Sequence, residues 1–233
     1  MATAIIGIGN IGGTVARQLA AGGESVVLSA GDPDAAKKLA TEIGARAEAA
    51  RNNRDAVERA NTVVLALWLD AMEGVVPEIA DLLPGKLVID TSNPILVGAD
   101  GSISRTLPEG QSSGQVVSGL LPQGTMYAKA FGTLSAPLLA SGARRTPDPA
   151  VLFYATDDTA AGSDVERLIR AAGFDAVRAG GVDACLRIEV GGDLHAFGGL
   201  NGRLIDRTEA ESLLGSSIRG SRHKASPSAS SST

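Results

Sequence analysis

Residues 3–29 read TAIIGIGNIGGTVARQLAAGGESVVLS, and this stretch decides the fold. Thr3 to Ile8 is a short apolar run ending among glycines, the pattern of a buried parallel strand. Ile11 to Ala21 places Val15 and Leu19 on one helical face, and Gly22-Gly23 stops the helix. Ser25 to Ser29 reads as a second strand. The link is Gly7-Ile8-Gly9-Asn10-Ile11-Gly12, a GxGxxG turn. Gly7 permits the tight turn, Gly9 lets the backbone approach a pyrophosphate, and Gly12 lets helix and strand pack closely. The free N–H groups at the helix start, with its dipole, then hold the anion. Strand, turn, helix and second strand together give the motif its meaning: a Rossmann-type βαβ unit that takes a nicotinamide dinucleotide.

The alternation continues outward. Asp32 caps a helix with Pro33 at its first position, running to Ile43. Arg46 to Ala49, Asn61 to Leu67 and Lys86 to Asp90 read as strands, with helices at Arg54 to Ala60 and Asp70 to Leu83 between them. The spacing predicts an α/β fold with a doubly wound parallel sheet and right-handed crossovers. Residues 91–110 are rich in Gly, Ser, Asn and Pro and read as loop, a placement that often carries function. Ser112 to Leu121 is a predicted helix. Met126 to Phe131, Val151 to Ala155 and Phe174 to Arg178 are predicted strands, with a helix from Ala160 to Ala172. These divide the chain into a dinucleotide-binding domain (1–180), a small C-terminal helical extension (181–215) and a disordered Ser-rich tail (216–233). The glycine-broken apolar stretch from Val182 to Leu200 is a candidate homodimer surface.

Composition narrows the partners. A net charge of −5 argues against nucleic acid. No run approaches the length of a membrane span, the N-terminus lacks the basic start of a signal peptide, and Cys185 is the only cysteine. A cytoplasmic protein with a small-molecule partner and no metal is the expectation.

Cofactor choice depends on the end of the second strand. Ser29-Ala30-Gly31-Asp32 has no carboxylate at the strand's last residues, and Asp32 looks more like a helix cap than a ribose ligand. Ser29 with Lys37 or Lys38 would instead contact a 2′-phosphate, which favours NADP while leaving NAD open.

Four segments carry a resemblance: residues 5–29 (IIGIGNIGGTVARQLAAGGESVVLS), VVLAL at 63–67, KLVIDTSNPI at 86–95 and MYAKAFGTLSAPLL at 126–139. Over roughly residues 3–200 the chain resembles the coenzyme F420-dependent NADP oxidoreductase family, whose dinucleotide domain is shared with pyrroline-5-carboxylate reductases. The resemblance implies that Gly9, Asn10, Ile11 and Gly12 bind the pyrophosphate and that Ser29 belongs to the 2′-phosphate pocket. Leu67 and Trp68 would line the path from adenosine to nicotinamide, with Ser92, Asn93 and Pro94 near the nicotinamide ring. Phe131, Gly132 and Thr133 would lie beside the deazaflavin of F420. Three positions depart from the family pattern: Ala30 replaces an arginine, Trp68 a proline, and Gly132 an asparagine or histidine. The last removes a potential hydrogen bond to the second ring.

Hydride transfer between two rings needs stacking, correct faces and a dry cleft rather than an acid or base. That agrees with a sequence without an evident catalytic set. His195 reads as a packing histidine in a helix-like stretch, with Glu189 and Asp193 on a solvated face, and Cys185 as a small buried hydrophobe. The leading expectation is an NADP(H)-dependent oxidoreductase with a deazaflavin or flavin-like partner. A non-catalytic NADP(H) sensor and a pyrroline-5-carboxylate reductase-like imine reductase are the alternatives.

Overall fold

Strand β1 (Ala2–Ile6), helix α1 (Asn10–Ala21) and strand β2 (Ser25–Ser29) form as the opening stretch predicts, in a computed structural model that describes residues 2–222. They are followed by α2 (Pro33–Ile43), β3 (Ala47–Ala49), α3 (Asn53–Glu58), β4 (Thr62–Leu65), α4 (Leu69–Ile79) and β5 (Leu87–Asp90). Asp32 caps α2 by accepting from the Asp34 amide, so the cap reading of that residue holds. Pro77 is accommodated within α4, and a 3-10 turn at Ala80–Leu82 completes the predicted helix.

Beyond β5 come a hairpin of β6 (Ile95–Val97) and β7 (Ile103–Arg105), then α5 (Ser113–Leu120), β8 (Met126–Lys129) and α6 (Ala136–Gly142). Strand β9 (Val151–Ala155), α7 (Thr159–Ala171) and β10 (Asp175–Gly180) precede the short α8 (Cys185–Ile188) and the last helix, α9 (Arg207–Arg222).

The main sheet runs β10-β9-β8-β5-β4-β1-β2-β3. All neighbours are parallel except β8 and β9, so the last two strands run against the rest, a departure from the all-parallel expectation. Successive residues serve opposite faces: Ile5, Val64 and Ile89 enter one core, while Ile6, Val63 and Val88 enter the other. Because β1 has β2 on one side and β4 on the other, the connections leave it in opposite directions. A crevice opens there beyond the carboxyl ends of β1 and β4, the place where open α/β sheets bind ligands.

Three expectations change. Residues 91–110 contain the β6–β7 hairpin rather than loop alone, paired antiparallel from Ile95 opposite Arg105 to Val97 opposite Ile103. The stretch from 189 to 206 is turns, not helix, because glycines at 191, 192, 198 and 199 bring backbone against backbone. Its apolar residues Leu194 and Leu200 pack with Cys185, Ile188 and Phe153 on the outer face of β9 and β10. These two stabilise the chain's own core, whereas Phe197 of the same stretch stays exposed. Finally, α9 crosses the predicted 215/216 boundary and continues to Arg222, and residues 223–233 of the predicted tail lie outside the described residues.

Candidate active site

The site begins at the turn between β1 and α1. Gly7 takes φ +89°, and a Cβ there would collide with the Ala66 carbonyl and lie 2.9 Å from Leu67 Cδ2. A Cβ on Gly12 would meet the Gly7 carbonyl and come 2.8 Å from the Ala66 side chain, so helix and strands approach only because it is absent. A Cβ on Gly9 would meet nothing within 4 Å. Gly9 is also the N-cap of α1 and offers no capping side chain, so the first amides of the helix stand free beside open space. An anion such as a pyrophosphate fits that seat.

Strand β4 delivers Ala66, Leu67 and Trp68 to the facing wall, and β5 delivers Thr91, Ser92 and Asn93 to the floor. With Ile95, Gly132, Leu134, Val190, His195 and Phe197 they enclose a cavity of about 470 Å³ next to Gly9, Asn10 and Ile11. That volume lies within the range of small-molecule sites. Trp68 is 58% exposed at the N-cap of α4, so it is a cleft wall and not a core residue.

The side chains of the floor are held by one another. Asn93 Nδ2 donates to the Gly132 carbonyl at 3.0 Å, and its Oδ1 accepts from the Val190 amide at 2.8 Å. His195 Nδ1 accepts from the Phe197 amide at 2.8 Å, which leaves Nε2 to donate to the same Gly132 carbonyl at 2.9 Å. Both ring nitrogens are therefore engaged, and burial lowers the imidazole pKa to about 4. His195 is a neutral packing group at neutral pH, as expected, although it sits in a turn and not a helix. Ser92 differs from these neighbours. The residue is 3% exposed, lines the cavity, and its Oγ has no hydrogen-bond partner. A buried hydroxyl without a partner is costly unless a ligand satisfies it.

Beneath Ser92 lies a cluster of ionisable groups that sequence reasoning missed. Lys129 Nζ donates to Asp90 Oδ2 (2.9 Å), the Ser92 carbonyl (2.8 Å) and Ser113 Oγ (2.8 Å), and lies 3.5 Å from Glu189 Oε1. Asp90 also accepts from Tyr127 OH and the Ser92 amide. Glu189 Oε1 accepts from Ser113 Oγ and the Gly114 amide. Burial works against the Lys129 ammonium, but the Asp90 and Glu189 carboxylates outweigh it and hold its pKa above the ordinary lysine value. Burial, helped by Asp90, raises the Tyr127 phenol well above its usual range. Burial pushes the Cys185 thiol up to about 12, which makes it inert, as expected of a small buried hydrophobe. Glu189, expected on a solvated face, is fully buried. The available signal was the isolated lysine in the apolar strand MYAKAF, since a lone charge there needs a buried partner.

The remaining predicted residues divide. Gly9, Asn10, Ile11, Leu67, Trp68, Asn93 and Gly132 line the cavity, and Gly7 and Gly12 shape its edge. Pro94 is buried and does not line it. Phe131, with a left-handed backbone (φ 63°), buries its ring in the core rather than presenting it to a substrate. Thr133 is buried beside the floor with an unpartnered Oγ1. Ser29 is buried and donates to Asn53 Oδ1 at 2.7 Å, so its hydroxyl is not free for a 2′-phosphate. Lys37 is exposed on α2 and pairs with Asp34 at 3.0 Å. Gly132 has no room for the expected side chain, because a Cβ would lie 2.5 Å from the Thr91 carbonyl. The imidazole of His195 comes up beside it from another segment instead.

A family model described as "NADP oxidoreductase coenzyme F420-dependent" matches residues 2–94, from β1 through the floor of the cavity. Residues 2–94 of the chain are thus similar to this family. An F420-dependent NADP reductase of Methanothermobacter thermautotrophicus is 33% identical over 148 residues, covering 60% of this chain and 64% of the relative. Its counterpart in Methanothermobacter marburgensis is 29% identical over 141 residues, covering 57% and 63%. The match thus spans less than two thirds of these curated relatives. Among solved structures, a hypothetical protein from Sinorhizobium meliloti is similar with a TM-score of 0.76 and 29% identity, over 88% of this chain and 96% of that one. An imine reductase from Myxococcus stipitatus shares the fold at a TM-score of 0.60 and 16% identity, over 96% of this chain and 63% of that one. The stretch that matches the family model contains the glycine turn and the β4 and β5 ends that line the cavity.

Proposed function

We propose that the protein is an NADP(H)-dependent oxidoreductase that passes a hydride between the nicotinamide and a deazaflavin or flavin-like ring. The observation that carries the reading is the open, uncapped N-terminus of α1 at Gly9, continuous with a cavity whose floor holds the unpartnered Ser92 hydroxyl. The pyrophosphate sits on the α1 amides, and Leu67 and Trp68 flank the path to the nicotinamide end. A bound dihydronicotinamide supplies the hydride. The chain's own residues position it, keep water out and offer Ser92 Oγ to a ring substituent.

His195 is the one titratable side chain among the described residues lining this cavity, and both its nitrogens are occupied. A carbonyl or imine reductase needs a proton donor within reach of the substrate, whereas a conjugated ring accepts hydride without one from the protein. This favours the ring acceptor over the imine-reductase alternative. It also fits the relatives named as F420-dependent NADP reductases. NADP is preferred to NAD, with Lys37 rather than Ser29 as the 2′-phosphate contact. No helix among the described residues is long and apolar enough to cross a membrane. A cytoplasmic homodimer is part of the proposal, with its contact away from Leu194 and Leu200.

NADPH oxidation followed spectrophotometrically against a panel of F420 and flavins tests the reading. Acceptor-dependent oxidation supports it. NADPH binding without oxidation by any ring favours the sensor, and absence of NADPH binding rejects both.

A further inference from the structure

The cavity does not end at Trp68. On the far side of that indole a groove of about 510 Å³ runs between the N-terminus of α4 and the β6–β7 hairpin. Trp68 and Ile95 line both spaces, so the two adjoin. The groove's walls are apolar: Leu69, Leu96, Val97, Leu107 and Val116. Trp68, Leu96 and Val97 are among the large hydrophobic residues that the described chain leaves exposed, although apolar side chains are ordinarily covered where possible. Phe197, also exposed, stands at the cavity's side of the same mouth.

The charged side chains that line this cleft at neutral pH have one sign. Asp70 and Glu73, both exposed on the first turns of α4, line the groove, and no lysine or arginine is among the described residues lining either space. The nearby guanidinium of the hairpin, Arg105, donates to the Gln111 carbonyl. The anion seat lies at the opposite end, on α1. The dinucleotide's phosphates are therefore provided for, while a second anion would leave the cavity past two carboxylates with no cation among the described lining residues.

We infer that the hydride acceptor is a planar ring whose substituent carries no negative charge, lying along the groove from Trp68 to Val97. This rests on the ring-acceptor function proposed above and narrows it. The phosphate-and-glutamate tail of F420 and the phosphate of FMN carry the wrong charge for this exit, whereas riboflavin presents the same kind of ring without one. Per turnover the C4–H bond of the dihydronicotinamide breaks, its hydrogen and both electrons pass to the ring, and a second proton comes from water.

The test compares riboflavin with FMN as acceptor, with saturating NADPH at low ionic strength. Riboflavin should exceed FMN in kcat/KM by about tenfold, high salt should shrink the ratio, and Glu73→Lys should shrink it severalfold at low salt. Equal or better use of FMN overturns the inference, as does a ratio unmoved by both salt and Glu73→Lys. No NADPH oxidation with either ring, despite NADPH binding, instead rejects the underlying ring-acceptor function.

Discussion

Lys129 Nζ lies 2.9 Å from Asp90 Oδ2, with the two side chains 2% and 0% exposed, and the same ammonium holds the carbonyl of Ser92. One buried charge thereby ties β8 to the end of β5, to the start of α5 through Ser113, and to the 189–190 segment through Glu189. Of these, the segment after β5, through Ser92, and the 189–190 segment, through Val190, line the cavity.

Replacing Lys129 with methionine strands two carboxylates in a dry interior. The expected loss is about 3–5 kcal/mol in urea unfolding. Lys129→Arg, which keeps a cation between the carboxylates, should lose less. An equal loss in both variants would mean that packing, not charge, dominates at this position.

Gly9 and Gly12 should fail in opposite ways. Gly9→Ala adds a methyl into open space, so stability should stay within about 0.5 kcal/mol while NADPH affinity falls at least about tenfold. Gly12→Ala forces helix and strand apart and should cost about 1–3 kcal/mol of stability. Paired melts and NADPH titrations separate the two; a Gly9→Ala protein with native affinity would remove the pyrophosphate from α1.

His195 gives the fold a pH dependence whose sign is fixed. Its folded pKa, about 4, lies below the ordinary value of 6.5, so the unfolded chain binds the extra proton between those values. Stability is full above about pH 6.5 and is lost progressively toward pH 4, by about 3 kcal/mol. His195→Gln should flatten that part of the stability profile. An unchanged slope would assign it to other groups.

Ser92→Ala removes the unpartnered hydroxyl without stranding another group. Stability should hold or rise slightly, while kcat/KM for NADPH oxidation falls by about tenfold, the worth of one hydrogen bond to the bound ring. Lys37→Ala should lower NADP affinity and leave NAD affinity in place. Equal effects on both would remove Lys37 from the 2′-phosphate.

The β1–α1–β2 unit was legible because a glycine turn, two apolar runs and a helical face are local patterns, and Gly7 and Gly12 make the close backbone approaches that the motif implies. Asn93, Leu67 and Trp68 were found through resemblance and do line the cavity. What stayed hidden depends on contacts distant in sequence. Glu189 lies 76 residues from the Ser113 hydroxyl that it accepts from, so helical spacing around Glu189 gave a misleading surface reading. His195 fills the space beside Gly132 from 63 residues away, a replacement no local pattern could announce. Phe131 was misplaced because its left-handed backbone inverts the direction expected from a strand end.

In the proposed function this cleft moves hydride from a dinucleotide anchored on α1 to a second ring. The most direct measurement uses NADPH deuterated at C4 on one face or the other, with riboflavin as acceptor. A primary isotope effect with one labelled face and none with the other is the predicted result, since a single fixed cleft presents one face. Tight NADPH binding with no acceptor-dependent oxidation, or equal effects from both faces, would contradict it.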